Sequence, residues 1–349
     1  MRCVADAATL YESLPWSNGC THVPWQEAVA AAVPRSSPVT LVNVGANKGY
    51  KVPEWMALWS QRRIAGHGGG WQAQLLQYAA MRRSANLRAS SCGNCKDCRE
   101  PMPHAHNRTG AQLHLLEIAP ANQALLEWMV RRAALSASVK IHRLGASNVT
   151  STARIFKKVF PGDERQGILD GRRRERFMSA NATVAVDVVA LDDFLLSERI
   201  SRVYHVAIDV EGFDALVLEG MRRTLAERRV SVVEFEVNGL GFWNAGHAEA
   251  RPLRGVLAAF DAAGYRCFWQ FPHALVPASE GCFVPRVSRR APLKWTNLVC
   301  AFERPVLAVL QRLAEDAFEH RRQHATLGQH RPLAAARNAL VHTGTNVAP

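Results

Sequence analysis

The feature that most narrows the fold is a rhythm: short β-branched apolar runs alternate with stretches of helical periodicity along most of the chain. "VTLVNV", "LHLLEI", "VYHVAIDV" and "VSVVEFEV" read as strands buried on both faces, each bounded by turn residues. Between them lie "PEWMALWSQRR", a helix that Pro53 can begin, and a helix from Pro120 to about Leu135. A third carries Phe213, Val217, Met221 and Leu225 on one stripe, and "RPLRGVLAAFDAAG" is a helix that Gly264 stops. Strand–helix alternation of this kind predicts an α/β fold with a mainly parallel sheet. "YRCFWQF" and "WTNLVCAF" are late strands with only a Pro-rich loop between them, which predicts an antiparallel strand at one side. In such sheets ligands gather beyond the carboxyl ends of the strands.

The rhythm begins at residue 39, after an N-terminal extension over 1–38, and the main domain is expected to run from 39 to 318. Residues 65–110 interrupt it with "GHGGG", a cysteine cluster and "PMPHAH", and read as an insertion with partial structure of its own. "VKIHRL" is another strand, and "ARIFKKVF" and "ATVAVDVVAL" are strands joined by the basic loop around "DGRRRERF". Residues 319–349 form a polar, Arg/His-rich tail of disordered character.

With 349 residues, 48% hydrophobic and 21% charged, the chain has the composition of a globular protein with a sizeable core. No apolar run reaches the roughly 20 residues of a membrane span, and the first residues lack a signal peptide's basic start and apolar middle. The eight cysteines are three bunched and five dispersed, unlike a disulfide framework, so a reducing, cytoplasmic address is favoured. The net charge of +13 attracts anions generally. A nucleic-acid partner is the sharper reading of that charge, but the basic clusters are short, scattered and without aromatic interleaving, which weakens it.

"VNVGANKGY" places Gly45, Ala46 and Gly49 directly after the first strand, where small residues let the backbone turn sharply against a ligand. The spacing is neither the dinucleotide-binding nor the P-loop pattern. Glu117 ends the second strand, where a carboxylate can accept from both hydroxyls of a ribose. In "VAIDVEGFDALVLEG", strand alternation would send Asp209 and Glu211 to one side, roughly 7 Å apart, with Gly212 leaving the space above them open. "SCGNCKDCREPMPHAH" offers Cys92, Cys95, Cys98 and His104, with His106 close behind, as the ligand set of a tetrahedral structural zinc; free thiols or a disulfide in a flexible insertion are the alternatives.

Taken together, "VNVGANKGY", "LEIAPANQALLEWM", "VDVVALDDFL", "VAIDVEGFDALVLEGM" and "VVEFEVN" resemble the FkbM family of S-adenosylmethionine-dependent methyltransferases, over roughly Val39 to Phe302 apart from the insertion. The resemblance implies a Rossmann-like class I methyltransferase fold, with a mainly parallel seven-stranded sheet containing an antiparallel strand. It also implies methylation of a hydroxyl on a carbohydrate or other small metabolite. By position, Asn43, Gly45, Ala46, Asn47 and Gly49 would line the methionine part of the cofactor, Glu117 the ribose, and Ala146 with Ser147 the adenine. Asp209 would face the cofactor's amino group or the transfer site.

Three positions depart from the family pattern: Asn43 stands in place of Asp, Ile118 in place of Pro, and Ala207 in place of a frequent Lys. Asp209, Glu211, Glu236 and His247 are the candidate general bases for the acceptor hydroxyl, Glu211 and Asp209 foremost. RNA or protein methylation, and a non-catalytic module on the same fold, are the competing readings.

Overall fold

Runs such as "VTLVNV" offer water no polar face, so they are stable only when covered on both sides. They are so covered in the computed structural model of the protein. It describes residues 24–32, 38–60, 70–82, 110–157, 160–162, 167–169, 182–244, 247–271, 274–279, 282 and 296–326. The strands are β1 (Val39–Val44), β2 (Ala111–Leu116), β3 (Val139–His142), β4 (Gly145–Ser147), β5 (Ser151–Phe156) and β6 (Thr183–Ala190). They continue with β7 (Val203–Ile208), β8 (Val230–Val237), β9 (Arg266–Phe271), β10 (Ala274–Pro277) and β11 (Thr296–Ala301). The helices are α1 (Pro24–Ala32), α2 (Lys51–Trp59), α3 (Trp71–Met81), α4 (Pro120–Arg132) and α5 (Leu191–Ser197). After them come α6 (Asp214–Glu219), α7 (Arg222–Ala226), α8 (Leu253–Ala262) and α9 (Arg304–Thr326).

Eight strands form one sheet in the order β10-β9-β11-β8-β7-β1-β2-β3. The five from β8 to β3 run parallel, β11 lies antiparallel between β8 and β9, and β10 closes the far edge antiparallel to β9. The α/β class and the antiparallel strand are as the sequence predicts; short β10 adds one strand to the seven expected. β4, β6 and β5 make a separate small sheet.

Two cores follow from the alternation of side chains in each strand. Val42, Val44, Val206, Ile208 and Phe235 pack with Phe194, Val217, Leu257 and Phe260 from α5, α6 and α8. Leu41, Leu113, Leu115, Val232 and Val299 face the other way, under Trp25, Trp55, Leu75, Met129 and Leu310 from α1, α2, α3, α4 and α9.

Four local expectations change. The single helix expected from the Phe213–Leu225 stripe is two, α6 and α7, because Gly220 lies so close to β4 that a Cβ there would sit 2.1 Å from the Ser147 carbonyl oxygen. Asp192 then starts α7 by accepting the amides of Arg223 (3.0 Å) and Thr224 (2.8 Å), as a capping carboxylate does. Helix α9 continues to Thr326, past residue 319 where the sequence turns polar, and α1 lies within the N-terminal extension.

Cys267 and Cys300, 33 residues apart, are disulfide-bonded because β9 and β11 set them directly opposite each other. The expectation of dispersed free thiols therefore fails for this pair. Helix α3 falls inside the insertion, whereas Cys92, Cys95, Cys98, His104 and His106 lie outside the described residues. Among the described residues no helix is long and apolar enough to cross a membrane.

Candidate active site

Where β1 ends, the chain must reverse into α2 within a few residues, and its two glycines make that possible. Gly45 and Gly49 have φ of 81° and 73°, a region that a Cβ disfavours. Space forbids a side chain as well: a Cβ on Gly45 would lie 1.9 Å from the carbonyl oxygen of Asp209, and one on Gly49 would strike Leu126 and Trp71. The amides of Gly45 and Ala46 both donate to the Leu116 carbonyl, at 3.0 and 3.1 Å, which ties the turn to the end of β2. Trp71 of α3 supports it from behind, its indole donating to the Lys48 carbonyl at 2.8 Å. That buttress comes from the insertion, and the sequence gives no periodic signal for it.

Glu117 is buried beside this turn, at 4% exposure. Its Oε2 accepts the Asn47 amide at 2.7 Å and its Oε1 the Ala119 amide at 2.8 Å. Burial pushes the carboxyl above its ordinary range, and these backbone donors pull in the opposite direction. Asn47 adopts φ of 45°, unusual for a residue with a side chain, and that conformation accompanies the amide contact to Glu117. Asn122 also donates its side-chain amide to Oε1, at 3.5 Å, so with two lone pairs on each oxygen it is Oε2 that keeps an acceptor site for a ligand hydroxyl.

The strand register then lines up one row at the carboxyl edge of the sheet. Val44 pairs with Leu116 on one side and Ile208 on the other, so the next residue along, Gly45, lies between Glu117 and Asp209. Ile208 pairs with Phe235, which brings Asp209 beside Glu236. Glu236 pairs with Asn297, and Asn297 with Gln270. The row reads Glu117, Gly45, Asp209, Glu236, Asn297, Gln270 across six strands.

Acidic groups cluster at its middle. Glu236 is 8% exposed and accepts a 2.5 Å bond from the Asn238 amide. Burial, followed by the charges of Asp209, Asp214 and Glu211, holds its carboxyl well above the usual range. Asp214, which the sequence reading passed over, is fully buried and accepts the amides of Val210 (3.4 Å) and Gly212 (3.1 Å). Burial and the neighbouring Asp209 push it up to about 8. Asp209 itself is exposed at the strand end.

Two expectations about this stretch are overturned. β7 stops at Ile208, and Glu211 and Gly212 take φ of 57° and 94°, so strand alternation does not carry Glu211 onto the same face as Asp209. The space above Gly212 is not open. A Cβ there would meet the Leu240 carbonyl at 2.7 Å, and Phe242 donates to the Gly212 carbonyl at 2.9 Å, so the glycine serves backbone-to-backbone packing.

The remaining predicted residues divide. Asn43 is buried one step below Gly45 on the same face, with its amide 3.5 Å from the Ala207 carbonyl. Ala146 and Ser147 form β4, whose Gly145 packs against the Ile118 side chain that follows Glu117. His247 lies over Phe242, and its Nδ1 accepts the Glu249 amide at 3.1 Å. That bond occupies Nδ1, so the neutral ring carries its proton on Nε2. On the opposite face of the sheet, His114 Nδ1 and His142 Nε2 meet at 3.0 Å beside Phe194, and Glu198 is the third member of this group. With ring centroids 5.2 Å apart the two imidazoles lie nitrogen to nitrogen, as a hydrogen bond requires.

Residues 43–267 match the Methyltransferase FkbM domain model. The chain belongs to that family. FkbM methyltransferase from Methylobacillus flagellatus KT is 11% identical with a TM-score of 0.37; the alignment spans 85% of this chain and 58% of that one. A putative O-methyltransferase from Klebsiella pneumoniae is 10% identical with a TM-score of 0.35, over 85% and 89% of the two chains. The N-terminal domain of human METTL16, solved with SAH, is 10% identical with a TM-score of 0.30, over 80% and 68%. No curated protein matches the chain significantly in sequence.

Ala207, where the sequence resemblance leads one to expect a lysine, lies beside a buried group of charges. Ala207 pairs directly with Glu234, and Lys51 reaches that carboxylate from α2, Nζ to Oε2 at 2.9 Å. Glu54 lies 3.6 Å from the same ammonium, and His205 Nε2 is 3.3 Å from Glu234. Burial opposes every charge here, yet the two carboxylates keep the Lys51 ammonium above its ordinary pKa, and Glu234 falls below its own. His205 is driven down by burial against the pull of Glu234, which favours a neutral ring.

Proposed function

We propose that this protein is an S-adenosylmethionine-dependent O-methyltransferase whose acceptor is a neutral, hydroxyl-bearing small molecule, a carbohydrate or comparable metabolite. The observation that carries the reading is the single row in which buried Glu117, side-chain-free Gly45 and exposed Asp209 occupy neighbouring strand ends. A cofactor with a ribose and an amino-acid tail fits it: Glu117 would accept a ribose hydroxyl on Oε2, and Gly45 and Gly49 place no side chain in the way of the tail. Gly45, Ala46, Asn47 and Gly49 would line that tail, and Ala146 with Ser147 the adenine side. The bound sulfonium supplies an already activated methyl group.

The chain's own part is orientation and proton handling. Asp209 would take the proton of the acceptor hydroxyl as the oxygen attacks. Glu236, whose carboxyl is held well above the usual range by burial and then by its acidic neighbours, would in its protonated form donate a hydrogen bond to the acceptor, with Asn238 fixing its carboxyl. Asp214 holds the Val210–Gly212 turn and so the direction of Asp209 and Glu211. Asp209 and Glu211 at this edge would repel a phosphate chain, which supports a neutral acceptor over RNA despite the net charge of +13.

Methyl transfer from labelled S-adenosylmethionine to a panel of glycosides and polyols tests the reading. Asp209→Asn should lower turnover by about 10²–10⁴. Label that enters RNA at high salt but no small acceptor would overturn it. From ligand spacing we also propose Cys92, Cys95, Cys98 and His104 as a structural zinc site, which metal analysis of Cys95→Ser checks. The Cys267–Cys300 disulfide speaks against the reducing, cytoplasmic address expected from the cysteine pattern.

A further inference from the structure

The row does not stop at the acids. Past Glu236 it continues through Asn297 and Gln270, two amides that the mechanism above leaves unused. Asn297 Oδ1 is buried and has no hydrogen-bond partner among the described residues. Leaving such an oxygen buried and unpaired is costly, so its place beside this edge asks for a partner from outside the chain. Gln270 is buried at 3% exposure, and its Oε1 is taken by the Trp25 indole at 2.9 Å. That contact fixes the direction of its amide and leaves the NH₂ end as the donor to offer. Glu236 is held in its turn by Asn238, whose Oδ1 accepts the Leu240 amide at 3.1 Å. Gln270 and Glu236 are therefore oriented before anything binds.

Neighbouring strands are about 5 Å apart, so Glu236, Asn297 and Gln270 present polar ends at intervals close to the width of a six-membered ring. We propose that Asn297 and Gln270 are specificity-determining residues, which read hydroxyls of the acceptor flanking the one that is methylated. Asn297 accepts from one hydroxyl and Gln270 donates to another. The inference rests on the methyl-transfer reading and adds to it the acceptor's required feature: further hydroxyls on the same ring. Sites built to bond a hydroxyl discriminate strongly against analogues that lack it.

Saturation-transfer NMR on the full chain loaded with SAH provides the test, with methyl hexopyranosides, inositol and their deoxy counterparts as probes. At least one probe should take up saturation from the wild-type protein, and its deoxy counterpart should not. Asn297→Leu and Gln270→Met should each reduce the transfer by about fivefold or more while SAH affinity stays within about twofold. Thermal melting checks that each variant is folded, and Asn297→Ser serves where the leucine does not fold. Undiminished transfer in both folded variants overturns the proposal, as does a wild-type protein that binds SAH but none of the probes. A wild-type protein that fails to bind SAH overturns the methyl-transfer reading beneath it.

Discussion

Replacing Lys51 by Met removes the only cation within 4.0 Å of Glu234 among the described residues, apart from His205, whose ring burial drives toward the neutral form. Glu234 and Glu54 have 5% and 1% of their side chains exposed, so water cannot take over the lysine's role. Removing one partner of a buried pair costs about 3–5 kcal/mol; because Lys51 is itself 19% exposed, the lower end applies. The cost should depend on pH with a definite sign. Without Lys51, Glu234 has a folded pKa raised above its unfolded value. Stability is then lost as pH rises, and the deficit is larger at pH 8 than at pH 5.

Urea unfolding at both pH values measures this. Because Ala207 faces Glu234 directly, adding Ala207→Lys to the Lys51→Met variant should recover much of the loss, while Ala207→Lys alone overfills a well-packed site and destabilises. A Lys51→Met cost under about 1 kcal/mol at pH 8, or a double variant weaker than the single, would refute the reasoning.

Four further outcomes follow from the geometry. Gly45→Ala should lower stability by about 2 kcal/mol or more and remove S-adenosylmethionine binding, since its Cβ would lie 1.9 Å from the Asp209 carbonyl oxygen; melting and calorimetry check both. Asp214 has a folded pKa of about 8 against an ordinary 3.8, so the native state holds an extra proton between those values and stability falls as pH rises through them; Asp214→Asn should flatten that slope. His114 is lowered by burial, then by His142 and Lys140, from 6.5 to about 4, so its neutral form stabilises above 6.5 and stability is lost as pH falls toward 4; His114→Gln should lessen the acid slope of the melting temperature. Mass spectrometry of unreduced, alkylated protein should find Cys267 linked to Cys300, and reduction should cost about 3–4 kcal/mol for a loop of 33 residues.

How much of this was legible depends on what each residue's signal is made of. β1, β2, β7 and β8 announce themselves because strands covered on both faces must be continuously apolar, and Gly45, Gly49 and Glu117 fall at their ends by simple adjacency. The split of α6 from α7 at Gly220, and the use of Gly212, depend on which backbone passes nearby, and no local pattern carries that. Asp214 reads as an ordinary first-turn acid until its burial is known. Cys267 and Cys300 look unrelated until the register of β9 and β11 opposes them, and the same register is what adds Asn297 and Gln270 to the row. Helix α1 is short, lies outside the alternation and gains its stability from Trp25 and Gln26 packing on the sheet, so it gave no sign.

The central claim is that the Glu117–Gly45 half of the row grips a nucleoside methyl donor, and titration calorimetry of the full chain with SAH tests it most directly. We predict one molecule bound per chain and a loss of about fiftyfold or more in affinity for Glu117→Ala, which would remove the proposed hydrogen bond from a ribose hydroxyl to a buried carboxyl. A chain that binds no SAH, or a folded Glu117→Ala variant that binds it as tightly as the wild type, would contradict the account.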